Sequence, residues 1–243
     1  MKNKLAESYI YKYTSYDIGE LIICSQLLKF NSSQFFNDPF DSDIDLLYFD
    51  FNQIGEDVEA DLQKLRTRAD IDNIPIDILT KAYKNTQKRK VNASSICCFS
   101  KSFKNTVMWA HYSDNHNGVC FIFDRDCKEP FSNFKLDRFS YGEVDYNNYS
   151  AINYLTSKFE GMKKIYFTKS ADWAYEEEYR YVLKEKRGYI KFNKEYLKGI
   201  IFGLNVKEEN ILRIKSVCEK NKYSNLLFGQ FKKKNLKMEL FEI

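Results

Sequence analysis

Two short apolar runs with a polar stretch between them constrain this chain more than any other feature. The runs are Ile96–Phe99 and Val119–Phe123, and each has the length of a buried β-strand. A helix is predicted between them over Thr106–Ser113, because polar residues before it could cap its start: Ser100, Ser102 or Asn105. Asn117-Gly118 then ends the helix, since both residue types tolerate a left-handed backbone. The stretch predicts a strand–helix–strand unit at the centre of the fold.

Strands and helices follow one another without regular alternation along the rest of the chain. Tyr9–Tyr13 alternates its side chains as a strand does. The other predicted extended segments are Leu27–Asn31, Lys135–Arg138, Tyr141–Tyr146, Ile165–Thr168, Glu176–Leu183, Tyr189–Phe192, Gly199–Phe202, Asn225–Phe231 and Leu236–Phe241. The other predicted helices are Asp17–Gln26, Tyr149–Lys163 and Lys207–Asn221. This order is typical of an α+β fold with a single mixed or mostly antiparallel sheet.

Residues 55–90 are predicted to form a peripheral helical insert or lid. Val58, Leu62 and Leu65 have helical spacing, and the remaining positions are dense with charge. The chain has only three prolines and nine glycines and contains no flexible linker. We therefore expect one domain over residues 1–243, with the insert at its edge.

Cysteine usage and hydropathy indicate the compartment. The six cysteines form no C-x-x-C pair and lie mostly in apolar runs, which is typical of reduced, packed thiols. No apolar segment approaches the roughly 18 residues of a membrane span, and the N-terminal stretch lacks the apolar core of a signal peptide. We expect a cytoplasmic protein without a membrane partner. The net charge of +4 is too small to identify a nucleic-acid partner.

Both histidines of the chain, His111 and His116, lie in the central unit. On a helix, His111 shares a face with Met108, Tyr112 and Asn115. It could be a buried histidine bonded to the backbone or a functional residue. Residues five apart lie about 140° apart around a helix, so the pair does not have the spacing of a metal site and no metal is expected.

Two further stretches carry candidate chemistry. Asn37-Asp38-Pro39 is a turn that could be purely structural or could line a pocket, with Asp38 or Asp41 facing a ligand. In a strand over Glu176–Leu183, Glu176, Glu178 and Arg180 project from one face. These carboxylates could contact one ligand, or they could face solvent as ion pairs that contribute roughly 0–1 kcal/mol each.

Four blocks, in order along the chain, resemble a bacterial domain family of unknown function. They are Tyr11-Lys12-Tyr13, the FNDPFD block at residues 36–41, the block from Cys98-Phe99-Ser100 to MWAHYSDNHNGVC, and WAYEEEYR. The family resemblance implies no activity by itself.

At the level of the fold, the block order is similar to that of ADP-ribosyltransferases. Those enzymes have a first strand with His or Arg, a middle strand with a serine or aromatic site, and a late strand with Glu-x-Glu. Lys12, Ser100 and Glu176-x-Glu178 take these places, although Lys12 is neither His nor Arg and Ser100 lacks the usual flanking pattern. The resemblance implies a split-sheet fold and NAD as a substrate.

The resemblance also implies roles for individual residues. Catalysis falls to Glu178, Glu176 and His111, with Glu178 stabilising an oxocarbenium-like state and Glu176 addressing the acceptor. Lys12 or Lys169 holds the pyrophosphate and Tyr112 stacks on nicotinamide. The complete NAD-binding set is Tyr11, Lys12, Tyr13, Asn37, Asp38, Ser100, Tyr112 and Lys169.

The predicted function is an NAD-using ADP-ribosyltransferase-like enzyme, a toxin or an anti-phage defence effector, whose acceptor is a protein or a nucleic acid. A hydrolase or nuclease is the first alternative, centred on His111, Asp114, His116 and Asp38. The second is a non-catalytic domain that binds a ligand in the same pocket.

Overall fold

The computed structural model describes residues 8–56, 58–60 and 74–243. Its helices are α1 (Tyr16–Ser25), α2 (Ile76–Asn92), α3 (Thr106–Tyr112), α4 (Lys158–Phe167) and α5 (Glu208–Lys220). Its strands are β1 (Tyr9–Thr14), β2 (Leu27–Lys29), β3 (Leu47–Tyr48), β4 (Ser95–Ser100), β5 (Val119–Asp124), β6 (Phe139–Glu143), β7 (Ile152–Asn153), β8 (Glu178–Leu183), β9 (Tyr189–Lys191), β10 (Leu197–Phe202), β11 (Leu227–Lys234) and β12 (Lys237–Glu242).

An eight-stranded sheet organises these elements in the order β12-β11-β10-β5-β1-β4-β8-β6. All of its strand pairs are antiparallel except β10–β11, which is parallel and is connected through α5. Two short pairs, β2–β9 and β3–β7, lie outside this sheet. The predicted α+β class, with a mixed and mostly antiparallel sheet, is confirmed.

The alternation of side chains along the strands divides the core between the two faces of the sheet. On β1, Ile10 packs into a cluster that includes residues of α1 and α5. Tyr11 and Tyr13 point to the opposite face, where Trp109 of α3 packs against them. Val182 of β8 packs with residues of α4. The helices α3 and α4 therefore cover one face, and α1 and α5 cover the other.

The central strand–helix–strand unit is present as predicted. The Asn105 side chain caps α3 by accepting from the backbone N–H of Val107 at 2.9 Å. Trp109 is fully buried, and its indole N–H donates to the carbonyl of Phe103 at 2.8 Å. The predicted helix stop at Asn117-Gly118 is wrong: α3 ends at Tyr112, and the positive φ angles lie at Asp114, Asn115 and His116 and not at Asn117 or Gly118.

Several predicted elements between β5 and β8 differ from the structure, beginning with the strand predicted over Tyr141–Tyr146, which is β6 at Phe139–Glu143. Lys135–Arg138 is not a strand: its last three residues form a 3-10 turn that leads into β6. The helix predicted over Tyr149–Lys163 begins only at Lys158 and continues to Phe167, so the predicted extended segment Ile165–Thr168 is mostly helical.

Asn153 explains the late start of α4. Its side chain donates to the carbonyls of Asp50 and Gln53 at 3.2 and 3.0 Å, and it accepts from the N–H of Asp50 and of Leu155. These bonds hold residues 152 and 153 extended against β3. Helix formation starts only where the Ser157 side chain caps it through the N–H of Glu160.

The predicted helical insert at residues 55–90 is described in part. Helix α2 covers its C-terminal portion and lies outside the eight-stranded sheet. Residues 57 and 61–73 lie outside the described residues, so the extent of the insert stays a prediction. None of the described helices has the length and apolar character needed to cross a membrane.

Candidate functional site

A cavity of about 190 Å³ opens on the α3 side of the sheet, where β4 ends and β8 begins. Register brings the strand ends together, because Ser100 pairs with Tyr11 on one side and with Glu178 on the other. Helix α3 and the loop after β2 close the remaining sides. The lining residues are Tyr11, Lys12, Tyr13, Phe36, Asn37, Asp41, Cys98, Phe99, Ser100, Met108, Tyr112, Lys169, Glu176 and Glu178.

A buried cluster of five charged side chains forms one wall of the cavity and extends behind it. Arg180 is fully buried and binds Glu178 through Nε at 2.7 Å and through Nη2 at 2.9 Å. Its other edge binds the Asp41 carboxylate at 2.8 and 2.5 Å. Lys169 donates to Glu176 at 2.5 Å and to Glu178 at 2.9 Å. Fully charged, the cluster has three negative and two positive groups.

The two glutamates of this cluster have opposite ionisation behaviour. Burial, the hydrogen bond with Glu178 and the charge of Glu178 raise the pKa of Glu176 to about 7, against the pull of Lys169. Burial would also raise the pKa of Glu178, but the Arg180 guanidinium and the Lys169 ammonium outweigh it and hold that pKa well below its usual range. Glu178 is therefore a permanent carboxylate, whereas Glu176 can gain or lose a proton near neutral pH.

Tyr112 and Asn37 form a hydrogen-bonded chain that ends at Oε1 of Glu176, the carboxylate oxygen that does not bind Lys169. The Tyr112 hydroxyl donates to Oε1 of Glu176, and the Asn37 amide donates to the Tyr112 oxygen at 2.7 Å. Because the amide occupies a lone pair of the phenol oxygen, the single O–H points at the carboxylate. Burial, followed by this bond to Glu176, raises the pKa of Tyr112, so the phenol stays protonated.

Two lysines line the cavity, Lys12 and Lys169, and within the part of the chain that the structure describes Lys12 makes fewer hydrogen bonds. Its Nζ donates to the carbonyl of Cys98 at 2.9 Å and lies 5.5 Å from the ring centre of Phe99. An ammonium group has three N–H donors, so this contact leaves two for a ligand. The donors of Lys169, in contrast, face three carboxylates, the farthest being Asp41 at 3.5 Å.

Ser100 is held by its own strand end. Its hydroxyl donates to the carbonyl of Ser102 at 3.0 Å and accepts from the N–H of Ser102 at 3.1 Å. The opposite walls are apolar and aromatic, contributed by Tyr11 and Tyr13 of β1 and Met108 of α3. The cavity thus joins aromatic walls to one carboxyl group that titrates near pH 7 and to one partly free ammonium group.

The structure brings nine of the predicted site residues to this cavity and leaves two outside it. His111 is exposed, and its Nδ1 lies 3.3 Å from the Tyr175 hydroxyl. Asp38 is buried in its turn, where Oδ1 accepts from the N–H of Phe40 at 2.9 Å. The nine that line the cavity are Tyr11, Lys12, Tyr13, Asn37, Ser100, Tyr112, Lys169, Glu176 and Glu178.

Two details of the Glu-x-Glu prediction are wrong. Glu178 is buried rather than solvent-facing, because its carboxylate is enclosed by Arg180 and Lys169. Glu176 precedes the strand: it ends a 3-10 helix, and Glu177 follows with a φ of 46°. Despite this break, both carboxyl groups reach the same wall of the cavity.

Sequence reasoning did not place Cys98, Phe99 and Met108 in the site. Cys98 and Phe99 lie in an apolar run, which by itself indicates only a buried strand. A surface ion pair was one of two alternatives for Arg180, whereas its bond to Asp41 joins residues 139 positions apart. No local pattern reports such a pairing.

The alternative triad of His111, Asp114 and His116 does not line the cavity. Across the described residues, no group of three or more His, Cys, Asp or Glu side chains is arranged to hold a metal ion.

Comparison with known proteins adds one finding. Residues 108–181, from α3 to β8, match a family described as a protein of unknown function (DUF2971). No curated protein matches the chain, and no solved structure matches it. The match covers the WAYEEEYR block and the part of the third block from Met108 onward, and it does not reach the first two blocks.

Proposed function

We propose that the cavity binds the nicotinamide–ribose end of NAD and that the chain is an ADP-ribosyltransferase-like enzyme. One observation carries the proposal: Glu176, a carboxyl group that titrates near pH 7, lies in the wall of an aromatic cavity beside Glu178, which is always ionised. Groups with separated pKa values in one cavity are typical of acid–base sites.

The size of the cavity limits which part of NAD lies inside. Its volume of about 190 Å³ equals that of roughly six water molecules in the liquid, which is enough for one ring-sized group. The nicotinamide ring would lie between the aromatic walls, with Tyr112 and Tyr11 as the candidates for ring contact. The pyrophosphate would lie at the mouth beside Lys12, and not beside Lys169, whose charge is already matched by carboxylates.

The reaction assigns Glu176 two roles. When the bond between nicotinamide and ribose breaks, the electron pair leaves with the ring nitrogen and positive charge develops on the ribose. The ionised Glu176 stabilises this charge. An acceptor nucleophile then attacks the ribose carbon, and Glu176 takes the proton that the acceptor loses. Glu178 and Arg180 hold Lys169 and Glu176 in place.

The acceptor is a protein or a nucleic acid, and the wider role is that of a toxin or an anti-phage effector. The unpaired state of the six cysteines supports action in the reducing cytoplasm.

The test is nicotinamide release from NAD, measured with protein acceptors and with RNA and DNA. Glu176→Gln keeps the shape and removes the charge, so we expect turnover to fall about 10²- to 10³-fold. Glu177→Gln is the matched control, because Glu177 is the neighbouring glutamate and is exposed, and it should retain wild-type turnover. A wild type that releases no nicotinamide with any of these acceptors would refute the proposal.

A non-catalytic binding domain is the second candidate, and the internal pairing of the charged cluster favours it. Both oxygens of Glu178 are bound to Arg180, as are both oxygens of Asp41. This candidate predicts that NAD or a related nucleotide raises the melting temperature without any nicotinamide release.

A further inference from the structure

The outer edge of β6 carries backbone groups that no described strand pairs with. Strand β6 ends the sheet, and its only strand partner among the described residues is β8. The Val144 N–H donates to the Glu178 carbonyl at 3.0 Å, which shows that Val144 is one of the residues whose backbone groups face β8. In an antiparallel pair, alternate residues face the partner strand. The N–H and C=O groups of Tyr141 and Glu143 therefore face outward, as does the C=O of Phe139, whose N–H donates to the carbonyl of Leu136.

The next outward-facing residue already binds an extended segment. The Asp145 N–H donates to the carbonyl of Phe167 at 2.8 Å, and its carbonyl accepts from Lys169 at 3.2 Å. Residues 167–169 thus act as a short parallel neighbour at the end of this edge. The edge accepts strand-like pairing there, and from Glu143 to Tyr141 no described strand pairs with it.

A groove of about 450 Å³ runs along this open part of the edge, between β6 and α4. Its walls include Phe159 and Met162 of α4, and Phe159 is 73% exposed. Gly142 leaves the groove open on the sheet side, because a Cβ built there meets no atom within 4 Å. An edge strand beside a helix, with apolar side chains between them, is the geometry by which domains bind peptides as added strands.

The charges around the groove favour an acidic occupant. Lys163 and Lys184 both line it. Lys163 forms an ion pair with Glu160 at 4.0 Å, whereas Lys184 forms none within the described part of the chain. Glu143, at the other end, is paired with Lys101 at 2.6 Å. The unneutralised charge of the groove is therefore positive.

We infer that β6 binds an extended acidic peptide of a partner protein as an added strand, in the groove between β6 and α4. The outward N–H and C=O groups of β6 supply the main-chain hydrogen bonds. Alternate side chains of the peptide pack on Phe159 and Met162, and its carboxylates face Lys163 and Lys184. This surface is separate from the NAD proposal and does not depend on it.

The test uses a displayed library of short linear peptides, selected on the wild type. Tyr141→Pro removes one outward N–H and leaves the ladder with β8 intact, as edge strands allow. Tyr141→Ala is the matched control, because it loses the same side chain and keeps the N–H. Gly142→Trp is an independent block, since it fills the groove from a position with open space. Melting temperatures of all three variants verify folding.

We expect acidic peptides with alternating apolar residues to be enriched. Synthesised and labelled, they should bind Tyr141→Ala about tenfold more tightly than Tyr141→Pro, as loss of one main-chain hydrogen bond requires. Gly142→Trp should abolish binding. The inference would be overturned if the peptides bound both Tyr141 variants equally and still bound Gly142→Trp fully. Enrichment of basic peptides, or of none, would also overturn it. A wild-type dimer that Tyr141→Pro dissociates would also overturn it, because a second copy of the chain would then occupy the edge.

Discussion

Replacement of Arg180 by methionine tests whether the buried charged cluster stabilises the fold. Arg180 is fully buried and donates five hydrogen bonds, two to Glu178, two to Asp41 and one to the carbonyl of Tyr166 at 3.1 Å. Methionine fills much of the same space but leaves two buried carboxylates without their main cation.

The magnitude follows from what remains after the substitution. Removal of one partner from a buried ion pair costs about 3–5 kcal/mol. Lys169 still lies 2.9 Å from Glu178 and 3.5 Å from Asp41, so the cost should stay near that of one broken pair rather than two. For a chain of this size, each kcal/mol lowers the melting temperature by about 2–4 °C. We therefore expect a loss of about 6–20 °C.

The assay is thermal and urea unfolding of Arg180→Met beside Arg213→Met. Arg213 also binds a carboxylate in a fork, at 2.9 Å from Glu20, but its side chain is 66% exposed. Exposed pairs contribute about 0–1 kcal/mol, so this control should melt within about 4 °C of the wild type. Equal melting of the two variants would refute the cluster's role in stability.

The pH dependence of the same variant tests the cause. In the wild type the pKa of Glu178 is held low, so its contribution is present above its unfolded value of 4.5 and is lost as pH falls. Without Arg180, burial favours the protonated carboxyl group. The stability difference between the wild type and Arg180→Met should therefore shrink as pH falls from about 7 toward about 4. A constant difference would point to lost packing instead of unpaired charge.

Three further predictions concern other parts of the structure. Trp109→Ala should lower the free energy of unfolding by about 3–5 kcal/mol, because the indole is fully buried against Tyr13 and Phe231, and a variant that melts with the wild type would contradict this. The pKa of Glu176 is raised from 4.5 in the unfolded chain to about 7, so its protonated form adds stability that is present below pH 4.5 and is lost as pH rises through 7. Glu176→Gln should remove this loss, which urea unfolding between about pH 5 and about pH 8 would measure. Gly118→Ala should destabilise the fold by at least about 1–3 kcal/mol, since a Cβ there would lie 2.1 Å from the carbonyl oxygen of Thr14; unchanged urea unfolding would show that the turn can shift.

Local patterns in the sequence determined the elements whose cause is itself local. Strand β5 was predictable because its apolar run is continuous, and the start of α3 because Asn105 caps it from the adjacent position. The end of α3 was not, because the left-handed residues that follow it are Asp114, Asn115 and His116 and not Asn117-Gly118. Alternation along Tyr9–Tyr13 likewise predicted both β1 and the division of its side chains between two faces. In each case the deciding interactions lie within a few positions of the residue concerned.

The late start of α4 was not predictable in this way. Its cause is the Asn153 side chain, which binds carbonyls about a hundred positions earlier in the chain, at Asp50 and Gln53. The helical propensity of residues 149–157 does not indicate this competing hydrogen-bond partner, because Asp50 and Gln53 come close to Asn153 only when the chain folds.

The candidate site shows the same division. Its polar residues were recognisable as a set from their blocks, but their charge states were not. Whether Glu178 faces solvent or Arg180, and whether Glu176 titrates near pH 7, depends on burial and on Asp41, which is 139 positions from Arg180. The sequence determined which ionisable groups are available. Only the tertiary structure decided which of them are desolvated and paired, because both effects depend on distance in space and not on distance along the chain.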